Sequence, residues 1–305
     1  MKTILQPVLI DHVARVLAPR AAESYLDGTA GFGGHAAVII DQIGPNAQVV
    51  LVDRDANAIQ HLATKFQDQA EILHMSYAEA AQVMLDQGQR FDMILLDLGV
   101  SSPQLDNPER GFSFQNDAPL DMRMDQSQAL TAEIMVNTFP QNELERILRD
   151  FGEEYRARSI VNAIIAARPV KTTRQLADIV RRVLGSSGKI NPATRTFQAI
   201  RIAVNAELTQ LEEALPRFAK LLTPGGRLAV ISFHSLEDRI VKQFFDYESR
   251  DCICPPKQPI CTCNHRASLA KLTPKAITGD SHEIVSNPRA RSAKLRAAEK
   301  LKPKK

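Results

Sequence analysis

Three aspartates and one cluster of glycines are the residues here whose types and spacing suit chemistry. Leu26-Asp27-Gly28-Thr29-Ala30-Gly31-Phe32-Gly33-Gly34-His35 places four glycines within seven residues, directly ahead of a helical run. Glycine is needed where the main chain takes positive φ or where another group approaches it closely. A loop that opens a helix presents free N–H groups and a positive dipole end. Asp53 closes the apolar run Val49-Val50-Leu51-Val52, and Asp97 closes Phe91-Asp92-Met93-Ile94-Leu95-Leu96. An aspartate at the C-terminal end of a parallel strand faces the crevice where open α/β sheets bind ligands. Asp27, Asp53 and Asp97 all take that kind of position, so the series predicts a nucleotide-type cofactor site.

Gly31-x-Gly33-x-x-Ala36, with Asp53 downstream, also fits the dinucleotide fingerprint. Asp53 is placed to accept hydrogen bonds from ribose hydroxyls. Asp27 decides between cofactors: it would repel a pyrophosphate and attract the ammonium group of an amino-acid moiety. S-adenosyl-L-methionine is therefore expected rather than NAD. An NAD-dependent oxidoreductase is the alternative enzyme class, and it lacks an evident acid/base for hydride transfer.

The elements that position these residues follow from hydrophobic period. Val8, Leu9, Val13, Val16 and Leu17 predict a short leading helix. Strands are expected at 24–27, 49–53, 71–74 and 91–97, with helices over 36–43 and 56–66 between them. That alternation predicts a parallel, doubly wound α/β sheet, Rossmann-like in class. Residues 98–125 form a long polar stretch of little periodicity, and stretches of this kind are usually functional. From about 131 to 215 the pattern is helical, with one stripe at Leu144, Ile147, Leu148 and Phe151. A second runs through Leu176, Ile179, Val180 and Val183, and a third through Phe197, Ile200, Val204, Leu208 and Leu211. An all-helical domain over 106–215 is thus expected inside a discontinuous sheet domain over 1–105 and 216–305. The sheet resumes at Arg227–Phe233, with His234 just beyond and Ser235-Leu236-Glu237-Asp238 resembling a helix cap.

Bulk properties exclude other classes. No apolar run approaches the roughly 20 residues of a membrane span, and no signal-peptide block is present, so a cytoplasmic location and no membrane partner are expected. The net charge of +3 is uneven. Residues 286–305 hold eight Lys and Arg against Glu299, or +7, which leaves −4 for the rest of the chain. This predicts either a basic tail for a polyanion or a merely solvated terminus. The four cysteines, Cys252, Cys254, Cys261 and Cys263, lie together with His265 nearby. They read either as a metal site or as reduced loop cysteines, because paired cysteines of common structural sites are spaced more widely.

Several long segments together carry a family resemblance. Asp27–His35, Leu95–Leu105, Arg110–Phe114, Asp121–Asp125, Pro192–Ala199, Ile231–Arg239 and Asn287–Ser292 resemble the bacterial ribosomal RNA small-subunit methyltransferase H family, also called MraW. The resemblance implies a class I methyltransferase that transfers a methyl group from S-adenosyl-L-methionine to N4 of a cytidine in small-subunit (16S) ribosomal RNA. It implies cofactor contacts by Gly33, Gly34, His35, Asp53, Tyr77, Asp97 and Gln104. Leu5 stands where the family has a histidine, and His12 where it has an acid. Naked RNA and the assembled 30S subunit stay open as substrates, and a homodimer stays open as the assembly. An assembly factor that binds ribosomal RNA without modifying it is the non-enzymatic alternative.

The exocyclic amine of cytosine is a weak nucleophile, and a sulfonium is a strong methyl donor. Catalysis therefore means alignment at roughly 3–3.5 Å and acceptance of hydrogen bonds from the amine. Asp97, Ser101 and Ser102 are the catalytic candidates, with turn chemistry the alternative for the two serines. The cytidine must leave its stack to be reached. Arg110, Phe112, Phe114, Arg195, Arg201 and His234 are the substrate-binding candidates, with Arg123 and Phe197 considered beside them. Each arginine has an acid in reach as an alternative partner, Phe197 sits on a helical stripe, and His234 has helix capping as its alternative.

Overall fold

The computed structural model describes residues 7–185, 191–256, 258 and 260–302. Leu5, Lys304 and Lys305 lie outside the described residues. The chain divides into two compact units, one of Met1–Gly99 with Leu208–Lys305, the other of Val100–Glu207.

The first unit opens with α1 (Ile10–Leu17), β1 (Tyr25–Asp27), α2 (Gly34–Ile43) and β2 (Val49–Asp53). α3 (Ala56–Lys65), β3 (Glu71–His74), α4 (Tyr77–Asp86) and β4 (Phe91–Asp97) follow. β1 to β4 pair in parallel, with β1 between β2 and β4. Strands in such a sheet are covered on both faces and read as continuous apolar runs. β4 shows this directly, because Phe91, Met93, Ile94, Leu95 and Leu96 are all fully buried. Alternation divides the sheet's side chains: Leu26, Val50, Ile94, Leu96 and Val230 enter one core, and Tyr25, Leu51, Met93, Leu95 and Ile231 the other. Burying each such side chain contributes about 1.5–3 kcal/mol.

The second unit contains α5 (Ser102–Asp106), α6 (Ala132–Thr138), α7 (Gln141–Gly152), α8 (Ala157–Ala166), α9 (Thr173–Leu184) and α10 (Ala193–Val204) around one apolar cluster. Its boundaries fall at 99/100 and 207/208, whereas the hydrophobic pattern suggested 105/106 and 215/216. The stretch 98–125 is ordered, with α5 and a 3₁₀ turn at Pro108–Arg110. The third apolar stripe is not one helix. The chain breaks after α10, where Ala206 takes φ +48°, and α11 (Glu207–Leu221) starts afresh.

β5 (Leu222–Ser232), α12 (Ser235–Glu248), β6 (Leu269–Lys271), α13 (Ser281–Ser286) and β7 (Lys294–Lys300) complete the first unit. The sheet order is β3-β2-β1-β4-β5-β7-β6, with β7 antiparallel to both neighbours. This Rossmann-like order corrects the reading of residues 286–305 as a basic tail, because residues 294–300 are an interior strand. Leu295, Ala297 and Ala298 are fully buried. Lys294 and Arg296 both reach Asp238, Nζ to Oδ2 at 3.1 Å and Nε to Oδ1 at 2.7 Å. Alternation along a strand sends every second residue outward, so a basic segment still fits a sheet interior.

Candidate active site

The loop between β1 and α2 carries the glycine cluster, and its geometry assigns those glycines to the fold. Gly31 and Gly33 take φ +53° and +69°, in the left-handed region. A Cβ on Gly33 would lie 2.3 Å from Cε2 of Phe66, and one on Gly34 would lie 2.5 Å from Cγ of Pro7. A Cβ on Gly28 would lie 2.6 Å from Cδ2 of Leu96. Packing against the protein thus demands three of the four glycines, and positive φ demands Gly31. What the loop offers a ligand is main chain, since the first amides of α2 have no partner within the helix.

Asp53 stands at the end of β2, and both of its oxygens accept from main chain. Gly31 N–H donates to Oδ2 at 2.8 Å, and Asp55 N–H to Oδ1 at 2.8 Å. Burial raises its pKa, and those two amides oppose the rise. The carboxylate is therefore held rigidly, with the glycine loop tied to it.

Asp27, at the end of β1, is 1% exposed. Tyr25 Oη donates to its Oδ2 at 2.9 Å and Thr29 N–H to its Oδ1 at 3.1 Å. Burial pushes its pKa up to about 6, against the lowering effects of His35, Tyr25 and Thr29.

Asp97 ends β4, its own N–H donating to Oγ1 of Thr29. Its Oδ2 lies 3.6 Å from Nε2 of His35, which is 6% exposed. Among the described residues, Asp97 Oδ1 and both ring nitrogens of His35 are buried without a hydrogen-bond partner. Buried polar groups are nearly always paired, so such a set at a strand end needs an explanation, and a bound ligand is one. The strand-end carboxylates and the His35 ring beside Asp97 fit a cofactor with both donors and a cationic group. Tyr77 is the first residue of α4, 9% exposed, with its ring tilted against Phe218 at 6.4 Å. It packs in the core rather than beneath a loop.

The second unit uses its candidates differently. Gln104 accepts at Oε1 from Ser101 N–H at 2.9 Å, closing a capping box at the start of α5. The S-x-x-Q spacing of Ser101 to Gln104 is the sequence signal for that box. Ser102 begins the helix. The reading of Arg110 as a phosphate ligand is corrected here. Its guanidinium is 4% exposed, donates to the carbonyls of Arg123 and Met124 at 2.9 Å each, and lies over Phe112. Phe112 is itself buried in the helical core, which likewise corrects its reading as an exposed stacking ring. Arg201 forms a two-pronged pair with Glu207 at 2.9 and 2.8 Å, which corrects its reading as a free cation. Arg123 does the same with Asp121.

Phe197 is core, as its stripe suggested, and the half-buried Phe114 meets it edge-on at 4.9 Å. Arg195 is exposed. In the first unit, His234 caps α12: its Nδ1 accepts from Glu237 N–H at 3.4 Å, and Nε2 lies 3.1 Å from Glu237 Oε1. One residue escaped sequence reasoning. Tyr155 is 93% exposed, flanked by exposed Arg156 and Arg158, and Arg195 reaches the carbonyl of nearby Glu153. An aromatic set among arginines, as in Tyr155-Arg156-x-Arg158, was the available signal.

Comparison with known proteins agrees with this geometry. The model of the MraW methylase family matches residues 3–301. A protein of Syntrophotalea carbinolica named ribosomal RNA small subunit methyltransferase H is 49% identical, over 96% of this chain and 97% of its own. Its namesake in Heliobacterium modesticaldum is 47% identical, over 97% of this chain and 98% of its own. With a match along nearly its whole length, and with three strand-end carboxylates around a glycine loop, the chain belongs to the MraW methylase family.

Proposed function

We propose that this methyltransferase transfers a methyl group from S-adenosyl-L-methionine to N4 of a cytidine in small-subunit (16S) ribosomal RNA. The observation that carries the reading is the set of buried, unpartnered polar atoms of Asp97 and His35 beside the glycine loop, with Asp27 and Asp53 at the neighbouring strand ends. Relatives named for methylation of the same RNA support it.

The cofactor supplies a methyl group on a cationic sulfur, which needs no activation. Asp53 holds the ribose edge, already fixed in place by Gly31 and Asp55. Asp27 attracts the cationic ammonium group. Asp97 accepts from the exocyclic amine through Oδ1, orienting the nitrogen lone pair toward the methyl carbon. Bound cofactor would supply the methyl group, its sulfur leaving as the neutral thioether, and Asp97 Oδ1 would accept the hydrogen bond of the amine that loses its proton on methylation. The cysteine-dependent route to ring carbon 5 has no support, since all four cysteines fall between residues 252 and 263. In the helical unit, Arg195 and Tyr155 are the exposed groups suited to phosphate and base. No helix among the described residues is long and apolar enough to cross a membrane. A cytoplasmic place, where the RNA is assembled into subunits, belongs to the proposal.

The test is incubation of the protein with labelled cofactor and small-subunit RNA, either naked or in 30S particles, followed by mass spectrometry of the nucleosides. N4-methylcytidine is expected, and Asp97→Ala should reduce it by at least about 100-fold without loss of fold. Methylation at carbon 5, or binding without product, would remove the reading.

A further inference from the structure

The described residues of the connection from α12 to β6, 249–268, contribute nothing to the three buried apolar clusters. At its base, Ser268 N–H donates to the carbonyl of Glu248 at 2.8 Å. Beyond that point no core holds the loop, yet its four cysteine sulfurs converge within 4.8 Å of one another. We propose that Cys252, Cys254, Cys261 and Cys263 bind one zinc ion through four thiolates, and that this ion is the staple that orders the loop.

The distances carry the argument. Zinc–sulfur bonds of about 2.3 Å in tetrahedral directions place neighbouring sulfurs about 3.8 Å apart. Here Cys252–Cys261 and Cys261–Cys263 are each 3.5 Å, Cys252–Cys263 is 3.8 Å and Cys254–Cys261 is 4.0 Å. Those values bracket the tetrahedral edge, and all exceed a disulfide's roughly 2.0 Å bond. The close spacing within each Cys-x-Cys pair is met by having two limbs of the loop face each other, each giving two sulfurs.

Main-chain donors complete the site. Ile253, between the first two cysteines, donates its N–H to Cys263 Sγ at 3.4 Å. Thr262, between the last two, donates to Cys254 Sγ at 3.4 Å. Amides that cross reciprocally to the opposite pair stabilise thiolate charge and orient the ligands. His265 is not a ligand: its Nε2 lies 3.1 Å from the carbonyl of Tyr247 and its ring rests against that tyrosine. Binding replaces four S–H protons with four Zn–S bonds and releases four protons, leaving a site of charge −2. No electron is transferred, and Arg250 and Arg266 flank the loop in sequence. With four protein ligands the ion has no open position, so its role is structural rather than catalytic.

The experiment uses the full chain, purified under reducing conditions without chelator. Elemental analysis should find about one zinc per chain. After exchange to Co²⁺, thiolate-to-metal charge transfer and the ligand-field bands of a four-sulfur tetrahedral site should appear. The Cys252→Ser/Cys254→Ser/Cys261→Ser/Cys263→Ser variant should lose the metal, and His265→Ala should keep it. Reduced wild-type protein that binds neither Zn²⁺ nor Co²⁺, with four thiols open to titration, would overturn the proposal. So would two disulfides in the protein as isolated, or a cobalt spectrum that changes in His265→Ala. The spectrum of the wild type stands even if the cysteine variant folds poorly, and none of these readouts depends on methyl transfer.

Discussion

The candidate residues of the two units use their charged side chains differently. In the second, three arginines that look available from sequence are spent on the unit itself, Arg110 on carbonyls, Arg123 on Asp121 and Arg201 on Glu207, while Arg195 stays exposed. In the first, Asp97 Oδ1 at the end of β4 and the ring nitrogens of His35 are buried and have no hydrogen-bond partner among the described residues. A buried unsatisfied group costs about 1–3 kcal/mol, so a fold keeps one only where something else compensates. The difference teaches that the partners a charged group already has, rather than its charge, decide whether it is available to a site. A guanidinium already engaged by its own unit's carbonyls or carboxylates is not presented to RNA. A carboxylate with an empty, water-excluded acceptor is open to a ligand.

The largest effect that would test this contrast comes from the C-terminus. If residues 294–300 served RNA as a tail, their removal would weaken binding and leave the fold intact. As an interior strand, β7 cannot be removed without exposing Leu295, Ala297 and Ala298 and unpairing β5. Truncation after Ala293 should abolish the cooperative thermal transition of the first unit, since the loss rivals the roughly 5–15 kcal/mol that holds a domain. A truncated protein that still melts cooperatively at the same temperature would refute the assignment.

Smaller effects should separate two arginines. Arg110→Ala removes the donor shared by the Arg123 and Met124 carbonyls and should cost about 3 kcal/mol in urea unfolding, with the salt dependence of RNA binding in the residual folded protein unchanged. Arg195→Ala should leave stability within about 0.5 kcal/mol and reduce the slope of log affinity against log salt by about one. The reverse pattern would invert the comparison.

A further effect is a matter of pH. Asp27 has a folded pKa of about 6, above the roughly 3.9 of an unfolded chain. The native state therefore holds a proton between those values that the unfolded state has released, and stability rises as pH falls through that window. At neutral pH the ionised form is a burden on the order of 3 kcal/mol. Asp27→Asn should melt higher at pH 7, by an amount that shrinks toward pH 5, and should bind S-adenosyl-L-methionine about tenfold more weakly. Calorimetric titration and melting curves across pH 5 to 8 would check both, and equal stability of the two proteins at pH 7 would count against a buried, ionised Asp27.

Much of this was legible in the chain alone. β2 and β4 end where their apolar runs end, because a strand covered on both faces reads as a nearly continuous apolar run. The three strand-end aspartates were legible for the same reason, as the first polar residues after each run. The helices of the second unit showed in their stripes, since a period near 3.6 marks a face that must be covered. The four cysteines declared themselves only as neighbours in sequence.

Tertiary structure decided the rest. Whether Lys294–Lys300 formed a solvated tail or an interior strand depended on β5 having an open edge, a property of the sheet and not of the segment. Whether Gly33 and Gly34 served a ligand or the fold depended on Phe66 and Pro7, which no local pattern places there. Whether an arginine is available depended on acceptors distant along the chain, such as the Met124 carbonyl beneath Arg110. Period and composition report what a segment must bury. They do not report what it will meet, because partners are chosen by long-range packing, and that choice set the unpaired atoms of Asp97 and His35 in place.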